Sequence, residues 1–359
     1  MATNMGGTWD TTSLPARPGL YINFVNAAAA VIKGGARGTV ALPLLKYGTA
    51  AKEKFYTIEK PAEAVELFGE ADAAPVLLVL QGGAREVLVY TMTPPTGEGD
   101  ALKASRAKSF LSMRDQLEAR PFNVFVYPAE VEASEVDLTL AWIKSSRKDG
   151  KHFLAVFGGT RDEDKDPALG NARSVKLKDD YAVNLITGAE AGGKSYSSGE
   201  YAPYVAGLIA GTGINKSITY AQVSATDALR RLKNSEIAAA LEKGSLALVH
   251  DGEKVKVEQG LVTSGAKIRT IRARQAVATD IPKTAADSYI GKLDNNADGQ
   301  AALISAVKAY LERLELASVL TDIEAGLDPE RKSEGDNVYL RIAYTEIDSM
   351  ERIFLTIEV

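Results

Sequence analysis

One segment of the chain matches a known phosphate-binding pattern. Residues 188–195 read GAEAGGKS, which satisfies the P-loop pattern G-x-x-x-x-G-K-[ST]. The segment follows a predicted strand at residues 182–186, and an apolar run ending in Asp251 could supply the acidic residue that holds Mg²⁺. A P-loop requires a helix that begins at the Lys-Ser pair, because the helix amide groups and dipole bind the phosphates. Ser, Gly and Pro follow this pair closely. We therefore expect a flexible loop with a solvated Lys194, and a P-loop NTPase using Gly188–Ser195 is the alternative.

The other residues capable of chemistry form no recognised constellation. The chain has two histidines, His152 and His250, both at the edges of predicted strands, and it lacks the G-x-S-x-G nucleophile motif. The acidic run from Asp162 to Asp166 lacks the spaced ligands and closing glutamate of an EF-hand. Zero cysteines exclude disulfides, thiolate zinc sites and cysteine nucleophiles. We therefore expect no catalytic residue, no metal site and no cofactor.

Charge and hydropathy favour an ordinary soluble protein made in a reducing compartment. The net charge of −5 gives no sign of a nucleic-acid or membrane partner. Residues 267–274 carry four basic side chains on a segment that resembles an exposed strand, but no aromatic residues alternate with them. A protein partner or an internal ion-pair surface is the favoured interpretation of that segment. The longest apolar run, residues 204–210, is far shorter than the roughly 20 residues that span a bilayer, and residues 1–10 do not resemble a signal peptide.

Changes in the pattern along the chain predict four segments. Residues 1–24 form an N-terminal arm that ends in a strand. Residues 25–91 are predicted as a β domain, with strands at 38–42, 76–80 and 86–90 and a helix at 61–68 that begins with Pro and ends before Gly69. Residues 92–250 alternate strands and helices, which is typical of a parallel sheet covered on both faces. This segment contains predicted strands at 123–127, 153–157, 182–186 and 246–250, separated by helices.

The last segment, residues 251–359, combines strands with one long amphipathic helix. Strands are predicted at 254–257 and 267–272, and the helix covers 298–316 with an apolar stripe formed by Ile304, Val307, Leu311 and Leu314. Strict alternation of apolar and polar residues then predicts two further strands, at 338–344 and 353–359. The last of these has no turn or cap after it, so we expect an open edge that adds to the sheet of a neighbour.

Both ends of the chain therefore offer strands that could link copies of the protein. We expect these arm strands to pair with neighbouring subunits. They comprise Gly19, Leu20, Tyr21, Ile22, Asn23 and Phe24 at one end, and Arg352, Ile353, Phe354, Leu355, Thr356, Ile357, Glu358 and Val359 at the other.

An ordered set of segments resembles the tail sheath proteins of contractile phages and phage-tail-like bacteriocins, above all the short sheath proteins of prophage elements in Gram-positive bacteria. The segments span nearly the whole chain in the expected order. They are PGLYINF (18–24), YVAGLIAG (204–211), KSITY (216–220), YIGK with NN (289–296), AYL (309–311) and DSMERI (348–353).

The resemblance implies a fold of α/β plus β class. Its parts are an N-terminal arm (1–24), a small β-sandwich domain (25–91), a subtilisin-like α/β domain without a catalytic triad (92–250) and an α+β C-terminal domain ending in an exchanged β-strand (251–359). The subtilisin likeness is one of fold only and carries no enzyme activity.

The resemblance also implies a mechanical function. Sheath proteins form hexameric rings stacked helically around an inner tube, and the sheath contracts to drive the tube through a cell envelope. The implied partners are further copies of the chain, the inner tail tube protein, and the baseplate and tail terminator proteins. The implied location is a virion tail or phage-tail-like particle assembled in the bacterial host cytoplasm.

The surface that contacts the tube is predicted on the long helix. The candidate residues lie off its apolar stripe: Lys308, Glu312, Arg313 and Glu315. The alternative is that these residues only form the solvent-exposed face of the helix and contact no partner. Besides the P-loop NTPase, a non-contractile structural or adhesive module with the same strand exchange remains an alternative to the sheath.

Overall fold

A computed structural model describes residues 32, 35 and 37–358 of the chain. This part contains thirteen strands and eight α-helices. The strands are β1 (Thr39–Leu44), β2 (Phe55–Ile58), β3 (Glu86–Thr91), β4 (Val124–Val126), β5 (Leu154–Phe157), β6 (Ala182–Asn184), β7 (Ala189–Ala191), β8 (Lys194–Tyr196), β9 (Asp227–Ala228), β10 (Leu248–His250), β11 (Val255–Val257), β12 (Leu320–Leu327) and β13 (Leu340–Glu346). The helices are α1 (Pro61–Gly82), α2 (Gly99–Glu118), α3 (Ala133–Lys148), α4 (Pro167–Leu177), α5 (Ser198–Gly211), α6 (Asn234–Glu242), α7 (Ile268–Ser288) and α8 (Ala297–Leu316).

A six-stranded sheet of order β2-β3-β1-β4-β5-β6 forms the centre of the fold. Its strands run parallel except β2, which pairs antiparallel with β3. β1, β4, β5 and β6 are buried along their whole length, as expected for continuous apolar strands covered on both faces. The sequence prediction of a mixed α/β architecture is therefore confirmed for the described residues.

The predicted β-sandwich at residues 25–91 is wrong for the described part of that segment. β1, β2 and β3 belong to the same sheet as β4, β5 and β6, so they form no separate two-layer domain. The predicted strand at residues 76–80 is instead the second half of α1. An apolar run of this length has the same sequence signature in a buried strand and in a buried helix. Gly69 does interrupt α1, with a φ of 79°.

Close packing of α1 on α5 requires glycine at several positions. A Cβ atom at Gly207 or Gly211 of α5 would overlap the carbonyl oxygens of Val79 and Gly83. The two helices therefore approach each other at backbone distance. Both glycines lie in the YVAGLIAG segment. The close packing of α5 on α1 therefore explains why glycine occurs at these two positions of the segment.

A second core lies between α7, α8 and the two-stranded sheet of β12 and β13. Buried Val307 and Leu311 belong to the predicted apolar stripe of α8 and pack with Ala273 and Val277 of α7 and Leu320 of β12. The predicted strand at 267–272 is wrong, because α7 begins at this place. β12 was not predicted. No helix in the described ranges is long and apolar enough to cross a membrane.

Candidate assembly surfaces

The P-loop match forms a β-hairpin rather than the predicted flexible loop. β7 and β8 pair antiparallel, and Gly192 and Gly193 form the turn between them with φ values of 56° and 74°. Such positive values suit a two-residue hairpin turn, which glycine adopts at no steric cost. α5 begins at Ser198 with Ser197 as its N-cap, so the helix does not start at the Lys-Ser pair. Lys194 is exposed. The geometry that a phosphate would need is therefore not formed, and the nucleotide-binding alternative is not supported.

The acidic run at residues 162–166 is occupied by protein partners. Asp164 is buried and accepts hydrogen bonds from the backbone amide and hydroxyl of Ser198, at 2.5 and 2.6 Å. Burial raises the pKa of Asp164 to about 6, although these bonds oppose the shift. Glu163 pairs with Arg173 at 2.8 Å. No group of three or more metal-ligating side chains occurs in the described part of the chain.

Both histidines take part in local hydrogen bonds. His152 Nδ1 lies 2.8 Å from the Tyr181 hydroxyl, and burial together with the nearby Arg147 lowers its pKa. His250 Nδ1 accepts a bond from the Gly252 amide at 3.0 Å. These contacts agree with the structural role that we expected for both residues.

The basic segment at 267–274 was expected to be either a surface for a protein partner or an internal ion-pair surface. The described residues support the internal ion-pair surface. Three of its four basic side chains join α7 to the C-terminal part of the chain. They are Lys267 with Asp348 and Glu351 at 2.6 and 3.1 Å, Arg269 with the Ser318 carbonyl at 3.0 Å, and Arg274 with Glu346 at 2.5 Å. The fourth, Arg272, faces a cavity.

Glu351 anchors the segment that follows β13. Its carboxylate accepts hydrogen bonds from Gln259 at 2.7 Å and from Thr219 and Ser349 at 2.9 Å, and it pairs with Lys267. Burial of this side chain would raise its pKa, but the hydrogen bonds from Gln259, Thr219, Lys267 and Ser349 together lower it to about 2. The carboxylate is therefore held ionised in a site formed by residues distant in sequence.

Beyond this anchor, residues 352–358 project from the body of the protein. Phe354 is 92% exposed and Leu355 79% exposed, and Ile353 and Ile357 are exposed to a similar degree. No backbone hydrogen bond joins residues 352–358 to another described residue. The predicted strand at 353–359 is accordingly not part of a sheet within the described chain. Val359 and the predicted strand at Gly19–Phe24 lie outside the described residues.

The sheet of β12 and β13 has open edges. The two strands pair antiparallel with each other and with no other described strand. Apolar side chains on one face, including Ile323, Leu340 and Ile342, pack against the second core. Both outer edges of this sheet are therefore available for further strands as far as the described residues are concerned.

The four candidate tube-contact residues lie together on the exposed face of α8. Lys308, Glu312, Arg313 and Glu315 are all exposed, and the Arg313 guanidinium lies 5.9 Å from the centre of the Tyr310 ring. The face is thus mixed in charge and solvent-facing. The tube contact itself stays a prediction.

Sequence reasoning missed the roles of Glu351 and Arg272. Glu351 lies in the DSMERI segment, but its partners Thr219, Gln259 and Lys267 are separated from it by 84 or more positions. No local pattern identifies such a pairing. The position of Arg272 was hidden by the wrong prediction of a strand at 267–272.

Two family models match most of the chain. The phage tail sheath protein central domain matches residues 102–263, and the phage tail sheath C-terminal domain matches residues 263–359. The chain is 23% identical over 231 residues to the tail sheath protein of the Clostridium phage phiCD119, an alignment that covers 61% of this chain and 61% of that protein. The matched region thus spans less than two thirds of that relative.

Solved structures share the fold over a greater length. The sheath tail protein from Desulfitobacterium hafniense superposes with a TM-score of 0.71 at 17% identity, covering 91% of this chain and 100% of that one. The helical sheath of the anti-feeding prophage in its contracted state superposes with a TM-score of 0.70 at 13% identity, covering 96% and 99%. From the two domain matches, the chain belongs to the phage tail sheath protein family.

Proposed function

We propose that this chain is the structural subunit of a contractile tail sheath. In this proposal the subunits polymerise helically around an inner tube, and contraction of the sheath drives the tube through a cell envelope. The proposed role is mechanical and involves no catalytic step. The subunit would be found in a virion tail or phage-tail-like particle assembled in the host cytoplasm.

The observation that carries the proposal is the exposed apolar segment at residues 352–358. Apolar side chains on a segment without backbone partners are unfavourable in water, and such a segment is suited to adding a strand to another molecule. Ile353, Leu355 and Ile357 alternate with other residues, which would set the register of that strand. Gly19–Phe24 would act in the same way at the other end of the chain.

The sheet of β12 and β13 in a neighbouring subunit is the proposed acceptor. Its strands are eight and seven residues long, which matches the length of the arm. An arm that pairs along an open edge would satisfy both its own amide groups and those of the edge strand. Subunits linked head to tail in this way would form an open helical assembly rather than a closed ring alone.

The Glu351 anchor gives this linkage a defined pivot. The arm would leave each subunit at one fixed point on α7, while the rest of the subunit moves as a rigid body. Strand pairing to a neighbour could then persist as subunits rotate and slide into a more compact lattice. The energy for that change would be stored at assembly, in interfaces with two discrete arrangements.

The remaining partners follow from the same proposal. Chains of similar fold occur in the structures of the anti-feeding prophage helical sheath and of its baseplate, so we include baseplate contacts for this chain. The inner tube, a tail terminator and hexameric ring stacking belong to the proposal by family resemblance. The subtilisin-like description of the central domain belongs there too, because a parallel sheet covered by helices is compatible with it.

Electron microscopy of the purified full-length chain tests the proposal directly. We expect wide hollow cylinders, and failure to form them under any assembly condition would contradict a sheath. Deletion of residues 352–359 should leave a soluble, folded subunit by circular dichroism and light scattering, but abolish the cylinders. A truncated chain that melts or aggregates would instead indicate that the segment completes its own domain.

Proline substitutions give a matched control of the strand-addition step. A strand on a sheet edge donates backbone N–H groups to its partner only at alternate residues, and proline removes this donor. Of Phe354→Pro and Leu355→Pro, one should therefore disrupt assembly more strongly than the other. Phe354→Ala and Leu355→Ala control for the loss of each side chain.

A further inference from the structure

A cavity lies between α7 and the N-terminal ends of the strands of the central sheet. Its volume is about 620 Å³, within the range of about 300–1,000 Å³ that is usual for small-molecule sites. Thr39 and Asn123 line it on the side of the sheet, and Arg272 and Gln275 line it on the side of α7. None of these residues takes part in the proposed arm pairing or tube contact.

Arg272 is the unusual residue of this cavity. It is 7% exposed, and no hydrogen bond or ion pair connects its guanidinium to another described residue. Burial, reinforced by the nearby charge of Arg37, lowers its pKa to about 10, so the side chain is still charged at neutral pH. A charge that is mostly buried and has no partner among the described residues is unfavourable, and an anion in the cavity would offset this cost.

Two of the acidic residues that line the cavity are already engaged. Asp280 pairs with Arg37 at 2.8 Å and also accepts hydrogen bonds from the Tyr310 hydroxyl at 2.6 Å and the Gly35 amide at 3.1 Å. Glu86 pairs with Arg85 at 2.5 Å. Six basic and four acidic side chains line the cavity, so these pairings leave a surplus of positive charge.

A second unsatisfied donor lies one helical turn from Arg272. Gln275 is 9% exposed, and its Nε2 is buried without a hydrogen-bond partner in the described chain. Residues three apart on a helix are neighbours on its surface. Both side chains therefore line the cavity from neighbouring positions on α7, and neither donor group has an acceptor among the described residues.

We propose that this cavity binds an oxyanion through the guanidinium of Arg272 and the amide of Gln275. A guanidinium presents paired N–H donors that match the oxygens of phosphate and carboxylate groups. The volume exceeds that of one phosphate, which leaves room for an organic remainder or for an acidic side chain inserted by a neighbouring copy. Only this second source rests on the proposed sheath function.

Calorimetric titration of the full-length chain with inorganic phosphate, against chloride at matched ionic strength, tests the free-anion source. Arg272→Met should weaken phosphate binding roughly ten- to hundred-fold, as expected for loss of a charge-assisted hydrogen-bond pair. Lys108→Gln removes one positive charge from the exposed face of α2 and should change nothing. Gln275→Leu, which changes no charge, serves if Arg272→Met fails to fold, and it should weaken binding several-fold.

The neighbour source has a different signature. In that case phosphate does not bind to the wild-type chain, but Arg272→Met shortens or abolishes the cylinders while the subunit stays folded and Lys108→Gln assembles normally. If phosphate does not bind and the Arg272→Met and Gln275→Leu variants assemble like the wild type, the oxyanion site is overturned. Failure of the wild-type chain to form cylinders would count against the sheath function alone, because the phosphate titration does not depend on assembly.

Discussion

Lys267 and Glu351 form an ion pair, with 3.1 Å between Nζ and Oε2, at the point where the C-terminal segment leaves the body of the protein. Lys267 is the N-cap residue of α7, and its ammonium also pairs with Asp348 at 2.6 Å. Hydrogen bonds with Asp348 and Glu351 raise the pKa of Lys267 against the opposing effect of burial, which is the largest single influence on it. The root of the segment is thus fixed by complementary charges, whereas residues 352–358 beyond it are exposed.

We expect Glu351→Gln to loosen this root without unfolding the subunit. Loss of the charge weakens several hydrogen bonds, and the cost should be about 1–3 kcal/mol for local opening after allowance for solvent screening. The Ile347 amide, which bonds the Val319 carbonyl at 3.0 Å, should then exchange faster with solvent. Hydrogen exchange measures the effect, and Glu358→Gln, at an exposed position, is the control.

The pH dependence of this anchor has a definite sign. The pKa of Glu351 is lowered from its ordinary 4.5 to about 2, so the folded chain favours the ionised carboxylate. Its contribution to stability is therefore complete above about pH 4.5 and is lost as pH falls from there toward 2. Protection of the Ile347 amide, corrected for intrinsic exchange, should fall over that range in the wild type. We expect the protection of this amide to change little with pH in Glu351→Gln. If it changes as little in the wild type, the anchor is contradicted.

We expect Gly207→Ala to destabilise the central domain. Helix propensity alone would favour alanine by about 1 kcal/mol, but the added methyl group would overlap the Val79 carbonyl. Overpacking of this kind costs about 1–3 kcal/mol. Chemical denaturation should show a net loss for Gly207→Ala. Gly326→Ala, where nothing lies within 4 Å of the added atom, should be close to neutral, and equal midpoints for the two variants would refute the backbone contact.

The sequence predicted those elements whose pattern is set by local contacts. The stripe of α8 follows helical spacing because one face packs on β12. The alternation of β13 follows from one half-buried face that packs against the second core and one face turned to solvent. The apolar run at 76–80 was mistaken for a strand because five consecutive apolar residues show no periodicity that distinguishes the two structures. Three of them are buried and two are half-buried. Only tertiary packing selects the helix there.

The candidate surfaces were predictable to a similar extent. The alternation at 353–359 predicted a strand, whereas residues 353–358 are exposed and form no strand within the described chain. Their pairing with a neighbour stays a prediction. Residues 267–272 were predicted as an exposed strand, but Ile268 and Ile271 lie three positions apart, and both share the buried face of a helix. The Glu351 anchor depends on residues that only the fold brings together, so no sequence pattern reveals it.

The hairpin at Gly188–Ser195 predicts that Lys194 has no role in nucleotide binding. Lys194→Ala should leave the thermal midpoint and assembly unchanged, and millimolar ATP should not bind to either protein. Gly193→Val provides the contrast, because a β-branched residue at a φ of 74° is strained by roughly 1–2 kcal/mol. A micromolar affinity for ATP that Lys194→Ala abolishes would overturn the structural interpretation of this segment.

The exposed face of α8 predicts a salt-sensitive contact with the inner tube. Lys308 and Arg313 are exposed, so reversing both to Glu should leave folding intact. Exposed charge pairs are individually weak and screened by salt, which suits a contact that must release when the sheath contracts. The double variant should therefore grow shorter or fewer sheaths on purified tubes, and the wild type should lose growth as salt increases. Lys103→Glu with Lys108→Glu gives the same change in net charge on α2, where both residues are also exposed, and should grow normally. Sheaths of normal length from the Lys308 and Arg313 reversal would exclude α8 as the tube contact and leave these residues with the role of solvating the helix.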